Sequence, residues 1–82
     1  MKEKVINLIG DSLKESNVYV DDAFIEREAS NKFLRVVIDS ENMIDIDKCV
    51  EVTKIIDPIL EKSDLIKEYD ILDVYAKSKG DE

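Results

Sequence analysis

The stretch from Ile44 to Leu60 is patterned for a single regular element. Wound at the α-helical period, it gathers Ile46, Cys49, Val52, Thr53, Ile56, Ile59 and Leu60 on one broad face, with Ile55 at its edge. Asp47, Glu51, Lys54, Asp57 and Glu61 fall opposite. Asp45 stands at the N-cap position, and Asp47 brings negative charge to the first turn, where the helix dipole favours it. The apolar face is wider than a coiled-coil seam requires and suits a helix that covers a sheet. Pro58 removes one backbone hydrogen bond within the pattern, so a kink is expected, with the last turn continuing to about Lys62.

The segments on either side have complementary patterns. Residues 2 to about 15 place Val5, Ile6, Leu8, Ile9 and Leu13 on one helical face, and Ser16-Asn17 closes that helix. Gly10 falls on its polar side. Val18 to Glu28 is rich in strand formers, with Asp21-Asp22 interrupting the alternation where a bulge or exposed edge is expected. Ala29 to Lys32 reads as a polar turn, and Phe33 to Asp39 alternates cleanly, with Leu34, Val36 and Ile38 on one side. Two such runs joined by a short turn predict an antiparallel hairpin. Ser63 to Asp70 is a polar connection under which Leu65 and Ile66 can pack, and Ile71 to Ala76 reads as a last strand.

The order is helix, strand, strand, helix, strand. It predicts an α+β fold, a two-layer α/β sandwich whose three-stranded sheet carries both helices on one face. The open face would carry Phe33, Arg35, Val37 and Tyr75 or its neighbours. The expected core joins Leu34, Val36, Ile38, Ile46, Cys49, Ile56 and Leu72 to Val5 and Ile9. Residues 1–76 form one domain in this reading, and 77–82 a polar tail that is expected to be disordered.

Eighty-two residues lie near the size at which one hydrophobic core is just sufficient, and 44% hydrophobic content with two glycines and one proline indicates an ordered chain. The charge is −8, from 20 acidic and 12 basic residues with no histidine. Such a balance argues against general nucleic-acid binding, which demands a positive surface. It leaves two readings open: attraction of a basic partner, or solubility alone.

Catalytic chemistry finds no foothold. Without histidine the commonest general base and zinc ligand are missing. The two glycines, Gly10 and Gly80, are too far apart for a phosphate loop, and no Gly-x-x-Gly clamp of a KH module is present. Glu41, Asp45 and Asp47 resemble the start of a calcium loop but lack its Gly and closing Glu, so capping and solvation explain them better. No cofactor or metal is expected, nor an enzyme. Cys49, alone and on the apolar helix face, reads as a core residue and gives no sign of an oxidising compartment. No apolar run reaches membrane-spanning length, so a cytoplasmic protein is the simplest reading.

Read together, the hairpin and main helix resemble a known family. Phe33-Leu34-Arg35-Val36-Val37-Ile38-Asp39, a short loop, and Ile44-Asp45-Ile46-Asp47-Lys48-Cys49-Val50-Glu51-Val52-Thr53 are similar to the amino-terminal domain of the ribosome maturation factor RimP. Leu34, Arg35, Val36, Ile38, Asp39, Ile44, Asp47, Cys49 and Val52 fall on matching positions of that pattern. Asp22-Ala23 stands where its first strand has Asp-Val, and Tyr69 with Leu72-Asp73-Val74 resembles its final strand. The chain departs from the pattern at Met43, where the family has Gly, and after Val74, where it has Tyr75-Ala76-Lys77-Ser78. The family's carboxy-terminal β-barrel is not found within these 82 residues.

The resemblance implies a non-enzymatic factor in small-subunit assembly that engages the immature small ribosomal subunit or a basic ribosomal protein, the one conventionally numbered twelve. Naked RNA and membranes are not expected partners. Glu26 and Glu28 on the first strand, and Asp47 and Glu51 on the main helix, are the candidate partner contacts. Val50 interrupts the polar side of the main helix, where the family pattern is acidic, and is a candidate apolar contact. The alternative is a generic protein-interaction or dimerisation module using the open sheet face.

Overall fold

The computed structural model describes residues 1–77. Helix α1 spans Lys2–Ile9 and leads into a 3₁₀ segment over Asp11–Ser16. Strands β1 (Tyr19–Glu28) and β2 (Asn31–Asp39) form the hairpin, α2 covers Ile46–Glu61, and a second 3₁₀ segment over Asp64–Lys67 precedes β3 (Ile71–Ala76). The sheet order is β1-β2-β3, with β1 antiparallel and β3 parallel to the central β2. The helical layer covers one sheet face, as the sequence pattern predicts. Of the tail expected to be disordered over 77–82, residues 78–82 lie outside the described residues.

The core is built where the two periods meet. Leu34, Val36 and Ile38 of β2, Val52, Ile56 and Leu60 of α2, and Val5 and Ile9 of α1 are all fully buried in one cluster with Leu13. Cys49 and Leu72 pack against that cluster while partly exposed. Ile46 does not join it. It opens α2 and is 81% exposed, because the first turn projects beyond the layer that Val52, Ile56 and Leu60 cover. The expected core position for Ile46 is therefore corrected: helical phase alone put it on the apolar face, but the helix enters the core only further along.

Local signals fix the ends of elements. The Asp45 side chain caps α2 by accepting from the Lys48 backbone N–H at 2.9 Å. The helix continues through Pro58 to Glu61. Ser63 caps the second 3₁₀ segment in the same way, its oxygen accepting from the Leu65 N–H at 3.2 Å, and Leu65 is buried while Ile66 is exposed.

Two expectations change. The first helix does not run unbroken to residue 15: it tightens at Gly10, where the Leu13 N–H reaches back to the Gly10 carbonyl at 3.3 Å. Val5, Ile9 and Leu13 are buried, but Ile6 and Leu8 are exposed. Asn17, with φ 61°, closes the segment in the left-handed region as expected. The hairpin turn is also shorter than the sequence suggests. Glu28 pairs with Asn31, leaving only Ala29 and Ser30 between the strands, with Ala29 at φ 55°. The interruption at Asp21 is a β-bulge, since the register shifts between Val20 and Asp22.

Candidate partner-binding surfaces

Strand pairing gathers charge on the open face of the sheet. In the central strand Arg35 lies opposite Phe24 of β1 and Asp73 of β3. Its guanidinium spreads over three carboxylates: Nε donates to Glu26 Oε1 at 2.8 Å, Nη2 to Glu28 Oε2 at 2.9 Å, and Nη1 to Asp73 Oδ2. The Phe33 ring supports it from the same strand, its centroid 4.5 Å from the Arg35 Cζ. The hydrogen bonds it donates to Glu26 and then Asp73 hold the guanidinium charged more firmly than usual. The Arg35 side chain is only 15% exposed, whereas the carboxylates face outward. One cation among three anions leaves this face negative.

Glu26 and Glu28 thus come together, but as ligands of Arg35 rather than as free carboxylates. Asp47 and Glu51 lie on α2, in the other layer, so the four acidic candidates do not form one surface. Asp47 is exposed in the first helical turn. Glu51 is engaged: its Oε2 accepts from Ser16 Oγ at 2.8 Å and from Lys48 Nζ at 3.4 Å. The Ser16 hydrogen bond, helped by the Lys48 charge, lowers the Glu51 carboxyl below its ordinary value.

Val50 is 46% exposed and lies on a groove of about 630 Å³ between the start of α2 and the end of β3. Ile46, Cys49 and Val50 form its helical wall, and Val74, Tyr75 and Ala76 its strand wall. The Ile46 side chain that is missing from the core is found here. Asp45 stands at the lip, with Lys54 further along the helix. The groove is almost wholly apolar, so it can bind by burial but offers little for catalysis.

Among the described residues, no group of three His, Cys, Asp or Glu could hold a metal ion, and no helix is long and apolar enough to cross a membrane. Two features of these surfaces escaped the sequence pattern. The Arg35 hub depends on a two-residue turn that sets the hairpin register, and the groove depends on where β3 lies beside α2. The turn residues could have revealed the first, because a two-residue loop brings Glu26 and Glu28 within reach of Arg35. Local sequence carries no signal for the second.

Asp39, at the end of β2, ties the strand to its surroundings. Its Oδ2 accepts from Tyr19 Oη at 3.2 Å and its Oδ1 from the Ser40 N–H at 2.8 Å. Arg35 and Asp39, both prominent in the hairpin pattern, therefore organise the sheet. Compared with protein families, the chain matches the RimP N-terminal domain over residues 8–77.

Proposed function

The chain belongs to the RimP N-terminal domain family, and from that premise we propose that it is a non-enzymatic factor in maturation of the small ribosomal subunit, acting by binding a basic ribosomal protein or the immature particle. The observation that carries this reading is the family match over residues 8–77, which spans the first 3₁₀ segment, the hairpin, α2 and the last strand. The charge of −8 supports a cationic protein partner over bare RNA. Glu26 and Glu28, with the excess negative charge around Arg35, and Asp47 on α2 are the contacts proposed for it, with Glu51 and the apolar Val50 beside them on the helix. Charges of this kind act mainly on association rate and orientation.

Affinity capture from a cell extract, scored for immature small-subunit particles and for free basic ribosomal proteins, tests the reading. Recovery should fall as salt is raised, because exposed charges are screened over roughly 8 Å at physiological ionic strength. Asp47→Lys should weaken recovery without unfolding the domain, since among the described residues no hydrogen bond or ion pair ties this exposed side chain. Tight binding to bare ribosomal RNA, with none to the basic protein or the particle, would overturn the assignment.

A further inference from the structure

We propose that the outer edge of β3, with the groove beneath it, accepts an extended cationic segment of another protein as a fourth strand. β3 has β2 as its one strand neighbour among the described residues. Its outer side therefore presents a row of backbone N–H and C=O groups with no strand across from them.

The two edges of the sheet are guarded differently. β1 carries a bulge at Asp21 and charges at Asp21, Asp22, Glu26, Arg27 and Glu28, the usual devices against added strands. β3 reads Ile-Leu-Asp-Val-Tyr-Ala, with no lysine, no proline and no bulge. Its one charge, Asp73, is turned to Arg35. This edge is open.

Both sides of the position where a fourth strand would lie offer matching chemistry. On the helical side, alternate side chains of the incoming segment would enter the 630 Å³ groove and meet Ile46, Cys49 and Val50. Ile46 is too exposed for a core residue, and docking would cover it. On the open side, the other set would lie beside Ile71, Asp73 and Tyr75, with Asp73 the nearest carboxylate, while Glu26 and Glu28 stand beyond β2 on β1 and add only to the long-range negative field of the −8 chain. The occupant is thus a strand with Val or Ile facing the groove and Lys or Arg facing the open side. A second copy of this chain fits less well, because it would set −8 against −8. Main-chain pairing would supply affinity and the alternating pockets specificity. This inference rests on the strand edge and the groove, and it does not require the ribosomal reading.

The test uses an acetylated, amidated peptide, Lys-Val-Arg-Val-Lys-Val, titrated into the isotopically labelled chain and followed by NMR. Shifts should concentrate on Leu72–Ala76 and on Val50, with slowed amide exchange along β3. Two further versions of the peptide carry N-methyl groups at alternate residues, in opposite phase. One should keep its affinity and the other lose at least about tenfold, because a strand uses only every second N–H toward its neighbour. Val50→Lys, at an exposed site, should weaken binding by about the same factor while leaving the remaining spectrum unchanged. Several results would each overturn the proposal: equal affinity for both N-methylated forms, equal affinity for a peptide with Glu in place of Lys and Arg, shifts confined to β1, self-association of the free chain through β3, or no binding at millimolar peptide.

Discussion

Ser16 Oγ donates a 2.8 Å hydrogen bond to Glu51 Oε2 across 35 residues of sequence, fastening the first 3₁₀ segment to α2. This contact keeps the Glu51 carboxyl below its ordinary value, with Lys48 adding to the effect. A carboxyl lowered in the folded state contributes stability that is present above the unfolded value, near 4.5, and is lost as pH falls through the lower folded value. Ser16→Ala should therefore lower the thermal midpoint at neutral pH and flatten its fall on acidification. Midpoints measured along a pH series for both proteins check this; parallel curves would show that Glu51 is not the group involved.

Glu26 and Glu28 are candidate partner contacts, and their bonds to Arg35 tie them to the stability of the sheet as well. Replacing both by Lys removes two of the three partners of a mostly covered guanidinium and puts like charges beside it. The midpoint should fall more than for Asp47→Lys, and thermal melts of the two variants side by side decide it.

Ile56 is fully buried between α2 and the sheet. Ile56→Ala should cost ~2–5 kcal/mol, a large share of the total stability of so small a domain. Urea unfolding read by circular dichroism measures it. A loss no larger than that of a surface change would mean that the helical layer does not pack on β2 as described.

Gly10 inverts a propensity argument. Exchanging glycine for alanine in a helix normally gains up to ~1 kcal/mol. Here a Cβ would stand 2.7 Å from the Ile6 carbonyl oxygen, at the place where the chain tightens into the 3₁₀ segment. Relieving that overlap should cost ~1–3 kcal/mol. Gly10→Ala is accordingly expected to destabilise, and chemical denaturation shows the sign directly.

Tyr69 is buried with its hydroxyl unpaired among the described residues. Burial, then the charges of Asp57 and Glu61, raises its phenol above the ordinary 10.0. A value raised in the folded state means stability that is intact below 10.0 and declines as pH rises from there toward the folded value. Tyr69→Phe should flatten this alkaline decline and, by removing a buried unpaired hydroxyl, stabilise by on the order of 1 kcal/mol at neutral pH. Unfolding at neutral pH and above pH 10.0 tests both parts.

Sequence by itself determined what depends on near neighbours. The alternation of Leu34, Val36 and Ile38, the helical phase of Val52, Ile56 and Leu60, the Asp45 cap, the left-handed Asn17 and the bulge at Asp21 all follow from residues within a turn or two of each other. The family was legible for the same reason, since its pattern runs along the hairpin and the helix. Tertiary structure alone decided how those elements face one another. Helical phase assigns Ile46 a side of the helix, but only the extent of the covered layer exposes it at the groove. Likewise, Asp73 is 38 residues from Arg35 and reaches it only because β3 joins β2 in parallel at one register. A periodic pattern specifies which way a side chain points; the partner it meets is set by register and by the relative placement of separate elements, which a local pattern does not encode.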